Sequence, residues 1–240
     1  MPETVVPRHA ASLILYKRTR SGFAVLMGRR PTASNFLPDA FVFPGGKLDP
    51  SDRNPVSPTP LSLQTRRAMR CMDSRQADLA LALAQTAIRE TYEETGLMVG
   101  NPGKLSPSAL PHWPDFKAKR LLPSPSALHF LARAITPTLS PVRYHARFFI
   151  ASAQSARGRA TSSDELHDLE WYPLEKALSL PMIDVTHTVL MYTQGHLASI
   201  DGGPPRQPKT TLFIRYRQAK LILSHETRRV HPQTPSRSAP

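Results

Sequence analysis

The sequence predicts an α/β fold, and three observations carry the prediction. Short apolar runs bounded by polar or Gly/Pro-containing segments lie on both sides of one long stretch with helical periodicity. In that stretch, which starts at Ala77, the residues Ala80, Leu83, Ala84, Ala87, Ile88 and Tyr92 recur at steps of three and four, an apolar stripe for packing on a sheet. Its other face is acidic, with Glu90, Glu93 and Glu94 at i, i+3 and i+4, so three carboxylates project as neighbours. The chain has 240 residues and 40% apolar content, enough for one substantial core.

In order, residues 1–8 read as a tail. Residues 10–16 and 23–27 are apolar strands joined by the polar turn 17–22. Arg29 and Arg30 follow, then a loop through Pro31 and Pro38 to a strand at 41–43. Gly45-Gly46 comes directly after it, a pair suited to a tight turn and to close approach of backbone to a ligand. Residues 47–76 form an interruption: Pro50, Pro55, Pro58 and Pro60 argue against a regular element before about residue 61, and a basic stretch, 66–70, follows. After the acidic helix, Gly96 suits the left-handed position that ends helices. Residues 101–126 read as a loop with a short helix around 115–121; 128–135 and 143–151 as strands; 155–163 as a loop; and 165–171 as the lead into a strand. Helices over 173–180 and 182–197 pack behind the sheet, and 210–216 with 219–223 forms a last hairpin. The domain is thus set at 9–200 with an insertion at about 53–76. Residues 201–240 are read as a basic C-terminal extension, a hairpin and then a disordered tail.

Cys71 is the single cysteine, so no intrachain disulfide can form and a reducing compartment fits. The sequence shows no long apolar run, no signal-peptide pattern at its start and no peroxisomal address, which predicts a cytoplasmic protein without membrane spans. The net charge of +13 points to anionic partners, either a phosphate-rich small molecule or nucleic acid. From Asp201 onward eight basic residues face two acids, which reads first as a solubilising tail.

Three adjacent acids destabilise an isolated helix, and folding alone gives no reason for them. A hard divalent cation does, because Mg²⁺ takes oxygen ligands at short distance. The nine histidines lack the spacing of a zinc site, Cys71 has no evident base, and no serine sits in a G-x-S-x-G turn. Trp113, Phe116 and Tyr144 are candidates for stacking on a nucleobase, with core filling as the competing role. Arg29 and Arg30 are read as surface charges of which one could contact a substrate phosphate.

From Gly46 onward the chain resembles the Nudix hydrolase signature, G-x5-E-x7-R-E-U-x-E-E-x-G-U with U apolar. Gly46, Arg89, Glu90, Glu93, Glu94, Gly96 and Leu97 match it. There are departures: Asp52 stands in place of the first Glu, 36 residues rather than seven separate it from Arg89, and Thr91 fills an apolar place. The resemblance implies a Nudix-type α/β/α sandwich with a mixed central sheet, an insertion inside the Nudix box and a basic C-terminal extension. It implies a hydrolase of phosphorus-containing anhydrides that cleaves nucleoside diphosphate conjugates with Mg²⁺ or Mn²⁺. Glu90, Glu93, Glu94 and the Gly45 carbonyl would hold the metal; Glu165 would supply a further carboxylate, with Asp164 as the fallback; and Asp52, or else Asp49, would pair with Arg89. Residues about 10–200 also resemble the long-insertion branch that includes peroxisomal coenzyme A diphosphatases. An RNA-directed Nudix enzyme of decapping type and a non-catalytic nucleotide-binding Nudix module remain as alternatives. Oligomeric state is not legible.

Overall fold

The long strand β1 (Arg8–Thr19) is the hub of a nine-stranded mixed sheet in the computed structural model, which describes residues 5–34, 37–54, 60–70, 77–105, 113–201 and 203–227. β1 turns tightly into β2 (Gly22–Arg29), its antiparallel neighbour, so the hairpin is shorter than the polar run 17–22 suggests: Lys17 and Arg18 extend the ladder. β3 (Phe41–Val42) pairs with the end of β2, and β4 (Gly45–Lys47) pairs antiparallel with β1 at Ala10–Ser12. The diglycine is therefore strand rather than the expected turn. Then come α1 (Leu63–Arg70), α2 (Ala77–Thr95), β5 (Met98–Pro102), α3 (Pro114–Ala118), β6 (Leu121–Pro123), β7 (His129–Ile135), β8 (Tyr144–Ser152), β9 (Ala156–Arg157), β10 (His167–Pro173), α4 (Leu174–Leu178), α5 (Asp184–Ile200), β11 (Thr210–Arg217) and β12 (Lys220–Thr227). The order across the main sheet is β10-β2-β1-β8-β7-β11-β12, and β6-β5-β9 make a small second sheet. β1 runs parallel to β8 and β7 to β11, while the other pairs in the main sheet are antiparallel, which makes the sheet mixed.

Strand alternation builds two cores. On one face Ala11, Leu13, Leu15, Leu26, Phe130, Phe149 and Ala151 meet Leu83, Ala84, Ala87 and Ile88 of α2. On the other, Ile14, Tyr16, Val25, Met27, Leu131, Phe148 and Ile150 meet Val189, Leu190 and Leu197 of α5. The result is helix, sheet and helix in three layers. Among the described residues no helix is long and apolar enough to cross a membrane.

Two readings from sequence need correction. Regular structure does occur before residue 61: Pro50–Arg53 is a 3₁₀ turn, started by the Asp49 side chain accepting from the Ser51 N–H at 2.8 Å, with proline in its first turn. The last hairpin also belongs to the sheet, and a boundary at residue 200 would cut through the second core. Leu212–Ile214 pairs with Ala132–Ala134, and Leu212 and Ile214 are buried. The Gln207 side chain accepts from the Phe130 N–H (2.9 Å), donates to the Phe130 carbonyl (2.5 Å) and accepts from Thr65 Oγ1 on α1 (3.1 Å). Arg133 on β7 donates to both Glu226 carboxylate oxygens on β12, at 3.0 and 2.5 Å, and lies 3.5 Å from the Phe213 ring centre. Cys71, His112, residues 55–59 of the insertion and the tail from 228 lie outside the described residues.

Candidate active site

The apolar stripe of α2 fixes its rotation on the sheet, and the last two turns then carry their acids to β4. Gly45 takes φ +154°, and a Cβ there would stand 2.5 Å from the Ala11 carbonyl and the Ser12 Cα, so only glycine fits. Its N–H donates to Glu94 Oε2 at 2.8 Å. A Cβ on Gly46 would lie 2.5 Å from the Glu90 carboxyl group, so that glycine provides the floor on which Glu90 rests. Both glycines thus bring backbone against carboxylates.

Arg89 ties this arrangement to the preceding turn. It donates from Nε to Asp52 Oδ1 and from Nη2 to Asp52 Oδ2, both at 2.9 Å, a bidentate pair with both side chains buried. Nη1 lies 3.0 Å from Glu90 Oε1 and donates to Glu93 Oε2 at 2.8 Å, while Nη2 donates to the Lys47 carbonyl at 3.3 Å. Asp52 also accepts from Thr86 Oγ1 (2.8 Å) and the Asp49 N–H (3.0 Å). The shorter acid reaches Arg89 because the 3₁₀ turn carries it inward. Asp49 caps that turn with its side chain. Gly96 ends α2 at φ +72°, its N–H donating to the Tyr92 carbonyl at 2.7 Å.

Electrostatics separate the acids. Burial pushes Glu94, 3% exposed, up to about 8; the Gly45 N–H and the Arg30 charge oppose that rise, and Glu90 and Glu165 add to it. Burial likewise pushes Glu90 up to about 7, with Arg89 opposing and Glu93 adding. Burial works against the Arg89 charge, yet its bonds to Asp52 and the fields of Glu90, Asp52 and Glu93 hold it protonated above its ordinary value. Glu93 is half-exposed, and Glu165 is exposed on the segment before β10, within electrostatic reach of Glu94.

A cavity of about 580 Å³ opens beside β4. Gly45, Gly46 and Lys47 line it together with Ala10, Ser12, Ala134, Tyr144, Ala146 and Phe148 of the sheet, Ile183–Thr186 around the start of α5, and Tyr216 of β11. The α5 and β11 walls were not recognisable in sequence, since residues 140–170 places away along the chain carry no local mark of sharing a cavity with the diglycine. Of the stacking candidates, Tyr144 lines the cavity. Trp113 and Phe116 do not reach it: both are buried, edge to face with each other, and Phe116 also packs edge to face on Tyr92. Arg30 lines the cavity, whereas Arg29 is held in ion pairs with Asp168 (2.6 Å) and Asp39 (2.8 Å).

Whether this site suits a divalent cation turns on its donors. Among the described residues no three ligating side chains converge in a formed metal cluster. Glu94 is turned to Gly45, and Glu90 and Glu93 to Arg89. The chemistry nonetheless fits a hard cation: the buried Glu94 and the partly buried Glu90 meet one backbone pair, and burial, helped by neighbouring acids, holds both above the ordinary carboxylate range. A positive ion would relieve that suppression.

No family model matches the chain. Acyl-coenzyme A diphosphatase NUDT19 of Xenopus laevis is 25% identical over 207 residues, covering 66% of this chain and 54% of that protein. The chain therefore spans about half the length of this curated relative. A solved NUDIX hydrolase from Alicyclobacillus acidocaldarius superposes with a TM-score of 0.62 at 26% identity, over 85% of this chain and 99% of that one.

Proposed function

We propose, from the premise that this chain belongs to the Nudix hydrolase superfamily, that it hydrolyses the diphosphate bond of a nucleoside diphosphate conjugate, with coenzyme A or an acyl-CoA first among the candidates. The observation that carries the reading is the contact of Glu90 and Glu94 with Gly46 and Gly45 at the edge of a cavity large enough for an organic group. Its resemblance to the acyl-CoA diphosphatase supports the choice of substrate.

In this reading Glu90, Glu93 and Glu94, with the Gly45 backbone, hold Mg²⁺ or Mn²⁺. Such a cation, when bound, lowers the pKa of water and neutralises phosphate oxygens. The chain's own residues do the rest. Arg89 and Asp52 clamp the β4 segment to α2 and fix the spacing between glycines and acids. The buried carboxylates keep a proton-accepting capacity near neutral pH, and one acid among Glu90, Glu93, Glu94 and the nearby Glu165 takes the proton of the attacking water. The cavity orients the conjugate, and positioning supplies much of the rate.

The test is a substrate panel. Purified protein with Mg²⁺, Mn²⁺ or EDTA is offered CoA, an acyl-CoA, ADP-ribose, NADH, diadenosine polyphosphates and capped RNA. Cation-dependent release of adenosine 3′,5′-bisphosphate from CoA is the expected result. Turnover of capped RNA alone would overturn the small-molecule reading, and nucleotide binding with no turnover of any compound would make the chain a sensor.

A further inference from the structure

The strand path of the main sheet ends in β10 on one side and in β12 on the other. An edge strand turns the N–H and C=O of every second residue outwards, and such a row pairs with another chain unless the strand is blunted. β10 is blunted. Its register against β2 shifts between His167 and Glu170, Asp168 sits in that shift at φ +49°, and Pro173, which has no N–H, closes the strand. β12 carries none of these devices. Its eight residues run opposite β11 without a shift from Lys220 to Thr227, and they include neither glycine nor proline. Among the described residues no strand pairs with its outer side. Alternation gives β12 two faces. On one, Leu221 packs on the second core, the His225 ring centre lies 5.7 Å from that of Tyr192 on α5, and Leu223 between them is 49% exposed. Lys220, Ile222, Ser224 and Glu226 stand on the other.

We propose that β12 is a dimerisation edge: a second copy of this chain lays its own β12 antiparallel against it, about a twofold axis through Leu223. A twofold axis normal to the sheet keeps each face on its own side, so odd-numbered residues meet odd and even meet even. Of the registers this allows within β12, the one centred on Leu223 sets opposite charges face to face: Lys220 meets Glu226 of the second copy, twice by symmetry. In the same register Leu223 meets its own counterpart, so the exposed leucine is covered beside the second core. Centring on Ser224 sets Ile222 against Glu226, and centring on Ile222 sets Lys220 against Ser224, so both neighbouring registers lose the charge match. The interface is isologous and closes at two copies, joining two sheets into one. It uses no residue of the hydrolase site and is independent of that reading.

Sedimentation velocity on the full chain tests it, from about 1 to 200 μM, a range that brackets a micromolar dissociation constant. Reducing buffer keeps Cys71 from cross-linking copies. Wild type should pass from monomer to dimer across the range. Leu223→Lys and Leu223→Glu each place like charges on the axis and should weaken association at least about tenfold, and Lys220→Glu, which opposes Glu226, should do the same. An equimolar mixture of Leu223→Lys and Leu223→Glu should dimerise again, because lysine then faces glutamate. Met191→Lys, at another exposed apolar residue on α5, should leave the wild-type behaviour unchanged. Circular dichroism checks that each variant is folded, and Leu223→Ser replaces any Leu223 variant that is not. A wild type that stays monomeric, Leu223 variants that associate as wild type does, or a mixture that does no better than its components would each overturn the proposal.

Discussion

Replacing Glu94 with glutamine should make the cation-free protein more stable at pH 8 and much less active. The amide keeps an oxygen that can accept the Gly45 N–H, so the change removes charge with little change of shape. Glu94 ionises at about 8 in the folded chain, against 4.5 for an ordinary glutamate. Its folded value is raised, so the folded state holds more protons than the unfolded state across that window. The stabilisation is complete below pH 4.5 and is lost as pH rises towards 8. At about 1.4 kcal/mol per unit, the loss through this group between pH 5 and pH 8 is on the order of 3 kcal/mol. Urea unfolding in EDTA at several pH values measures it. Wild type should lose stability across the range, and Glu94→Gln should lose on the order of 3 kcal/mol less, its remaining slope coming partly from Glu90. Turnover with Mg²⁺ or Mn²⁺ should fall at least about a hundredfold in the same variant. A variant that is less stable than wild type at pH 8, or one with an unchanged pH slope, refutes the electrostatic reasoning; unchanged turnover refutes the placement of the reaction.

Two further perturbations separate scaffold from chemistry. Removing either partner of the buried Arg89–Asp52 pair, by Arg89→Ala or Asp52→Ala, should cost about 3–5 kcal/mol in urea unfolding, and the double variant should lose less than the sum. The glycines should split: Gly45→Ala forces a Cβ onto β1 backbone at positive φ and should destabilise the fold by roughly 2–4 kcal/mol. Gly46→Ala meets a carboxyl group at the end of a side chain that can swing aside, so its stability loss should stay near about 1 kcal/mol while turnover collapses. Thermal melts and turnover assays on both variants check the split.

Local signals made α2 legible. Its stripe and its acids occupy one continuous stretch, and the period of 3.6 residues reports both which side is buried and which side meets β4. The strands of the main sheet were legible for the same reason, although the polar ends of β1 hid its full length. β5, β6 and β9 escaped because they are short and hold Gly100, Asn101, Pro102 and Pro123, whose preference is for turns. The different surroundings of Arg29 and Arg30 could not be foreseen, since the partners Asp39 and Asp168 come from a loop and a distant strand. The same holds for Trp113, whose neighbours in an irregular stretch say nothing about whether it faces a ligand or a core. The cavity wall from α5 and β11 depends on topology alone, and topology is what a single sequence conveys least.

The placement of β11 between β7 and β12 bears on how the polypeptide is made. A nascent chain that has emerged only as far as α5 leaves β7 with one bare edge, the backbone groups on that side unmatched and Leu131 and Ala134 short of cover. Such an edge invites pairing with another copy. Truncation just after α5 would therefore yield aggregates rather than a smaller soluble unit, and synthesis must reach the β11–β12 hairpin before the sheet is sealed on that side.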